Sequence, residues 1–233
     1  MEVMTHDIAS QIIYEDNHLL VINKKVGQLV QGDKTGDASL LELIKAFIKK
    51  RDEKPGNVFL GLVHRIDRPT SGLVIYAKTS KALSRLTQMV KNREIEKTYW
   101  AIVAKEMLPQ SQRLVHYLKK NEKNNKAIVF PKPTDGAKEA ILSYHLIKVL
   151  DNYQLLEIDL ETGRHHQIRA QLSKIGVPIK GDLKYGSPRS NPDGGISLHA
   201  RRLQFVHPVT KEKMDITAPV PQNDAVWRAA EEK

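Results

Sequence analysis

The chain has 233 residues, a length that fits one large domain or one domain with a small appendage. Hydrophobic residues make up 40% and charged residues 27%, and no apolar run approaches the ~20 residues that cross a bilayer, so a disordered chain and a membrane span are excluded. The net charge of +10 favours a polyanionic partner such as nucleic acid, although a merely soluble basic protein is the alternative.

The first part of the chain predicts two short strands and a capped helix. Residues 11–14 and 18–23 are apolar runs separated by a polar turn, which is typical of two strands. Ser39 and Glu42 have the spacing of a capping box, and the apolar positions after them follow helical periodicity. A helix is therefore predicted from Ser39 to about Arg51.

The next part predicts two strands around a polar loop, then a helix and a long strand. Residues 60–63 and 72–77 read as strands, and the segment 64–71 between them is polar and contains a proline. Residues 80–92 place their apolar side chains on one face, which predicts a helix. Residues 95–104 are rich in aromatic and branched side chains and predict a strand.

Two antiparallel hairpins are predicted in the middle of the chain. Residues 113–118 and 127–130 flank the basic segment 119–126, and residues 140–150 and 153–160 flank a turn at Asp151 and Asn152. The lysines of the first hairpin tip either contact RNA or form a solvated turn, and the sequence favours neither. The hairpins argue against regular strand–helix alternation.

The last part predicts a helix at residues 164–175 that ends at Gly176, a loop at 187–195, and strands at 202–206 and 214–217. Strands outnumber helices along the whole chain. The predicted fold class is therefore α+β, with a mixed, mostly antiparallel sheet flanked by helices.

Two segments carry the candidate chemistry. The first, GLVHRIDRPTSGLVIYAK at residues 61–78, places Arg65 and Arg68 around Asp67 between two apolar strands. An arginine neighbour keeps a partly buried carboxylate ionised, as a nucleophile requires. The alternative is an exposed loop of mixed charge.

The second segment is ETGRHHQIRAQL at residues 161–172. On the predicted helix Arg169 lies one position off the apolar stripe, so its head can reach a buried carboxylate. The alternative is a solvated basic face. His165 and His166 are adjacent and point about 100° apart on a helix, so they do not form a metal-ligand pair, and no metal site is expected.

Several chemistries have no support in the sequence. The chain has no cysteine, which excludes disulfides, thiolate zinc sites, iron–sulfur clusters and cysteine nucleophiles. There is no phosphate-binding loop, no dinucleotide-binding glycine pattern and no G-x-S-x-G motif, so no cofactor is expected. Residues 1–10 have no apolar core, so we expect no signal peptide and a cytoplasmic protein.

Taken together, the two segments resemble the signatures of the RluA-type pseudouridine synthases. Further stretches resemble that family in the same order and spacing: residues 96–101, 176–186, 198–200, 205–208 and 218–219. The likeness covers residues 12–221, which we predict to be one catalytic domain with the pseudouridine-synthase fold. Residues 1–11 and 222–233 are predicted to be terminal extensions, too short for the amino-terminal S4-type RNA-binding module of many family members.

The resemblance implies an enzyme that isomerises uridine to pseudouridine inside RNA without cofactor or metal. Asp67 matches the catalytic aspartate, which acts on the ribose carbon or initiates loss of its 2′ proton. Tyr99 matches the tyrosine that stacks on the target base and assists proton removal from C5. Arg169 matches the arginine that pairs with the aspartate. Five further positions are expected to bind RNA or the flipped base: Arg65, Arg68, Leu198, Arg164 and His166.

The substrate and partner are defined only by class. The family modifies ribosomal RNA of the large (23S) subunit and transfer RNA, and the sequence does not choose between them. We expect a monomer without an obligatory protein partner. Two alternatives stay open: a non-catalytic RNA-binding or chaperone module that keeps the fold, and a nuclease, for which no carboxylate cluster is evident.

Overall fold

The structure, a computed structural model, describes residues 8–32 and 36–232. The chain divides into two compact units, one of Met1–Ile95 and Arg202–Pro219, the other of Glu96–Arg201 and Val220–Lys233. Residues 1–7 and 233 of the predicted terminal extensions lie outside the described residues. The single catalytic domain at 12–221 stays a prediction.

The first unit contains helices and short antiparallel strands. Its elements are β1 (Ile12–Glu15), β2 (Leu19–Lys24), α1 (Leu40–Arg51), β3 (Gly61–Leu62), β4 (Ser71–Ala77), α2 (Ser80–Lys91), β10 (Leu198–Val206) from Arg202 onward, and β11 (Lys213–Thr217). Strand β2 pairs with β1 and β4, β3 pairs with β4, and β10 pairs with β11. All four pairings are antiparallel.

Helices α1 and α2 pack against opposite faces of β2 and β4. On one face, Leu19 and Ile75 belong to a core that includes Leu86 of α2. On the other face, Leu20 belongs to a core that includes Ile44 of α1. Successive strand residues point to opposite faces, so two covering helices bury every residue of β4. This enclosure holds both ends of β4 in place, including the end that follows the Asp67 loop.

The second unit is a five-stranded antiparallel sheet with a helix on each face. Its elements are β5 (Glu96–Ala104), β6 (Ser111–Asn121), β7 (Lys126–Phe130), β8 (Lys138–Val149), β9 (Tyr153–Leu160), α3 (Gln167–Lys174), a short 3-10 helix (Leu183–Tyr185), the first residues of β10, and α4 (Ala225–Glu231). The strands are ordered β5-β9-β8-β6-β7. The predicted fold class, with its mostly antiparallel strands, is confirmed.

The two faces of this sheet are covered by different helices. Ala170 of α3 packs with Leu118 and Ala140 on one face. Trp227 of α4 packs with Ile102 on the opposite face. Since Ile102 and Tyr99 point to opposite faces of β5, the face of α3 is also the face of Tyr99.

Two local predictions have different outcomes. The capping box at Ser39 is confirmed: its hydroxyl accepts the Glu42 N–H and the Glu42 carboxylate accepts the Ser39 N–H. The helix predicted at 164–175 is wrong at its start, because α3 begins at Gln167 and His166 has a left-handed backbone with φ of 52°. The solvated-face alternative is also wrong, because residues 167–172 are all buried.

Candidate active site

Asp67 lies in the first unit, in a loop that is fixed at both ends. Before it, buried His64 accepts the backbone N–H of Ile75 at Nε2, at 3.3 Å. After it, the Asp67 carbonyl accepts the N–H of Thr70 at 3.0 Å and closes a turn around Pro69. Hydrogen bonds to buried residues on both sides thus fix the backbone of the loop around Asp67, which is itself half-buried.

Lys24 anchors the same turn from β2. Its side chain is fully buried, and its amine donates to the carbonyls of Lys25 at 2.9 Å and Arg68 at 3.0 Å. The Arg68 carbonyl also accepts the N–H of Gly27 at 3.0 Å. Burial lowers the pKa of Lys24 to about 7, although the nearby Asp67 carboxylate opposes this shift. Lys24 was not singled out from the sequence, where it is one lysine of an exposed-looking Lys24-Lys25 pair.

The two arginines that flank Asp67 have different surroundings. The Arg68 guanidinium donates to the Gly27 carbonyl at 3.0 Å and to Asp37 at 2.8 Å. Arg65 is exposed, and within the described ranges its side chain makes no hydrogen bond or ion pair. Arg65 is therefore the more accessible of the two to an external anion.

In the second unit, side-chain hydrogen bonds build the turn that leads into α3. The Thr162 hydroxyl accepts the Ile141 N–H at 2.8 Å and donates to the Gln167 amide oxygen at 2.8 Å. That oxygen also accepts the Arg164 N–H at 2.9 Å, while the Gln167 amide nitrogen donates to the Ile141 carbonyl. These bonds and the left-handed His166 delay the start of the helix to Gln167.

Arg169 forms a buried bidentate ion pair with Asp182. Its Nε lies 2.7 Å from Asp182 Oδ2 and its Nη2 2.9 Å from Oδ1. The guanidinium carbon also lies 5.1 Å from the centre of the Tyr185 ring. The sequence analysis missed Asp182, although it is the one acidic residue of segment 176–186. Asp67, the predicted partner, belongs to the other unit, and its pairing with Arg169 stays a prediction.

His166 and Arg164 are tied to nearby elements of the second unit. His166 Nδ1 lies 3.0 Å from the Tyr185 hydroxyl, which accepts the N–H of Ala127 at 2.7 Å. Arg164 Nε donates to the carbonyl of Glu139 at 2.8 Å. The structure thus brings His166 and Arg169 together around Tyr185. RNA contacts of Arg164 and His166 stay predictions.

Tyr99 and Leu198 are both buried residues of the second unit. Tyr99 lies on β5 opposite Ile158 of β9, on the face that α3 covers. Leu198 is the first residue of β10. Tyr99 and Arg169 are thus held on the same side of one rigid antiparallel framework. Their roles toward a base stay predictions.

Across residues 8–32 and 36–232, no group of three or more His, Cys, Asp or Glu side chains is placed to hold a metal ion. In the same ranges, no helix is long and apolar enough to cross a membrane.

Comparison with known proteins assigns the chain to a family. A family model described as RNA pseudouridylate synthase matches residues 18–174. The chain belongs to this family and is an RNA pseudouridine synthase.

Individual relatives resemble nearly the whole chain. It is 32% identical over 228 residues to the uncharacterized RNA pseudouridine synthase YlyB of Bacillus subtilis, covering 97% of this chain and 74% of the relative. It is 34% identical over 215 residues to ribosomal large subunit pseudouridine synthase C of Vibrio cholerae, covering 90% of this chain and 65% of the relative. The solved structure of human RNA pseudouridylate synthase domain containing 4 has the same fold, with a TM-score of 0.79, 22% identity, and coverage of 95% of this chain and 92% of that one.

Proposed function

We propose that the chain converts a uridine of large-subunit ribosomal RNA into pseudouridine. The observation that carries this proposal is the likeness over 90% of the chain to a relative named as a ribosomal large subunit pseudouridine synthase. The net charge of +10 fits a substrate that presents many phosphates. Transfer RNA is the competing substrate.

The reaction needs access to a bond that the RNA helix hides. The N1–C1′ bond of uridine breaks, the base turns and a C5–C1′ bond forms. The C5 proton is lost and N1 gains a proton, so the product is an isomer of the substrate. A stacked and paired base blocks this rotation, so the uridine must be extruded at a cost of a few kcal/mol. Stacking on the ring of Tyr99 offsets part of that cost, since base–aromatic stacking contributes ~1–3 kcal/mol.

Asp67 starts the chemistry in this proposal. Attack on C1′ and removal of the 2′ proton both need an ionised carboxylate that is held against the ribose. The hydrogen bonds of His64 and Lys24 support the loop that would hold it there. The Lys24 amine lies close enough to Asp67 to interact electrostatically with its carboxylate.

In this proposal Arg169 is the partner of Asp67, as the family resemblance implies. Its bidentate bond to Asp182 sets the plane of the guanidinium before any substrate arrives. The remaining edge of an arginine fork can then meet a second carboxylate in a defined direction. Asp182 is accordingly a positioning residue for Arg169.

Five residues complete the proposed contacts with RNA. Exposed Arg65 fills the place of the extruded base or holds the flipped nucleotide, and Leu198 borders the base. Arg68, Arg164 and His166 contact the RNA around it.

The test is tritium release from RNA labelled at C5 of uridine, with ribosomal and transfer RNA assayed separately. Wild type should release tritium from ribosomal RNA. Asp67→Ala should abolish release and keep RNA binding, whereas Asp151→Ala, an exposed turn aspartate, should behave as wild type. Normal release by Asp67→Ala would refute the role of Asp67. Folded wild type that binds RNA without release would favour the binding module, and RNA cleavage would favour a nuclease.

A further inference from the structure

Lys97 occupies an unusual place for a lysine, on the buried side of a strand. It lies two residues before Tyr99 on β5 and therefore on the same face, about 7 Å along the strand. Thr98 pairs with Asp159, so the same register places Lys97 opposite Leu160, which itself pairs with Leu142. Lys97 therefore lies beside Leu160 and Leu142 in one row across the sheet, on the face that α3 covers.

The amine of Lys97 has no acceptor among the residues that the structure describes. Within residues 8–32 and 36–232 it makes no hydrogen bond and no ion pair, although its side chain is only partly exposed. Burial lowers the pKa of Lys97, and no nearby carboxylate opposes the shift. Lys24 is different, because two backbone carbonyls accept its protons.

An unpaired, partly desolvated ammonium destabilises the folded protein, so such a position is typical of a group that meets its partner in a complex. The partner must be anionic and must approach the Tyr99 side of β5. In an RNA substrate, the groups with that charge are the phosphates.

We propose that Lys97 binds a backbone phosphate of the nucleotide whose base stacks on Tyr99, or of its direct neighbour. This inference rests on the proposed function and adds a substrate-binding residue to it. The four-carbon stem lets the amine reach past the strand edge, while the apolar row of Leu160 and Leu142 keeps the stem in place. The contact depends on the charge of the RNA backbone and does not discriminate between base sequences.

The test compares Lys97→Met and Lys97→Arg with Lys105→Met. Lys105 follows the other end of the same strand, about 26 Å away, and is exposed, so it controls for the loss of one charge. Affinity for an in vitro transcript of large-subunit ribosomal RNA is measured over a series of KCl concentrations. Lys97→Met should weaken binding about 10- to 100-fold and reduce the slope of log affinity against log salt by about 0.7–0.9. Lys97→Arg should retain most of the affinity, and Lys105→Met should match wild type.

Two further readouts separate binding from structure. Loss of a contact that forms equally before and during the reaction raises KM and leaves kcat nearly unchanged, so Lys97→Met should show that split in the tritium assay. Its thermal midpoint should equal or exceed that of wild type, because an unpaired charge is removed. A lower midpoint, or wild-type affinity and salt slope, would overturn the proposal. Failure of wild type to release tritium would instead overturn the proposed function, and the binding series would still decide the role of Lys97.

Discussion

Asp182 should contribute strongly to the stability of the second unit through Arg169. The side chains of Asp182 and Arg169 are 1% and 6% exposed, so their charges are almost fully removed from water. The change Asp182→Asn keeps the shape of the side chain and removes its charge. Arg169 then keeps its buried charge without the Asp182 carboxylate, a loss that costs ~3–5 kcal/mol in comparable pairs. For a chain of this size the thermal midpoint should fall by roughly 6–20 °C.

Intrinsic fluorescence can follow this unfolding in urea. Both tryptophans of the chain, Trp100 and Trp227, belong to the second unit and so report its unfolding. The matched control is Glu161→Gln, which removes the charge of an exposed bidentate pair with Arg113 in the same unit. Exposed pairs contribute little, so this variant should unfold almost as wild type does.

A double variant separates charge from packing. Arg169→Met combined with Asp182→Leu removes both charges, so it should recover much of the stability that Asp182→Asn loses. It should stay inactive in tritium release, because the proposed site has lost Arg169. A loss of less than ~1 kcal/mol for Asp182→Asn would refute the premise that the pair is desolvated. A double variant as unstable as the sum of its single changes would refute the coupling.

Two further predictions concern the backbone and pH. Gly181→Ala should lower the free energy of unfolding, measured in urea, by about 2 kcal/mol, because Gly181 has φ of +88° and a Cβ would meet the Asn191 side chain at 2.7 Å. The control Gly56→Ala should leave the free energy of unfolding unchanged, because a Cβ there meets open space. Equal free energies for the two variants would contradict the argument. Lys24 has a folded pKa of about 7, below its unfolded value, so the unfolded chain binds more protons between about pH 7 and 10. The free energy of unfolding should therefore rise by about 2 kcal/mol from pH 7 to 9 in wild type and not in Lys24→Met, and parallel pH curves would argue against it.

Elements that depend on local sequence could be predicted well. The helix from Ser39 needs only its own capping residues and its own apolar spacing, and α1 begins and ends where these signals place it. The turn at Asp151 and Asn152 likewise connects β8 and β9 as predicted. In both cases the deciding contacts lie within a few residues of each other along the chain.

The start of α3 could not be predicted, because a distant residue decides it. Thr162 and Gln167 both bond to Ile141, more than twenty positions earlier in the chain. These bonds hold a turn where helical periodicity continues in the sequence. The same holds for Asp182, whose pairing with Arg169 depends on the path of the intervening loop. Burial of a whole helix also removes the one-sided apolar pattern from which its exposed face is inferred.

Lys24 and Lys97 show why the sequence could not rank charged residues by role. Both are lysines in strands, and burial lowers the pKa of both. Lys24 has two carbonyl acceptors and supports the Asp67 turn, so its loss should first be seen in folding. Lys97 has no acceptor among the described residues, so its loss should first be seen in the affinity for RNA. What the amine bonds to, rather than how deeply it is buried, distinguishes a lysine that stabilises the fold from one proposed to bind substrate.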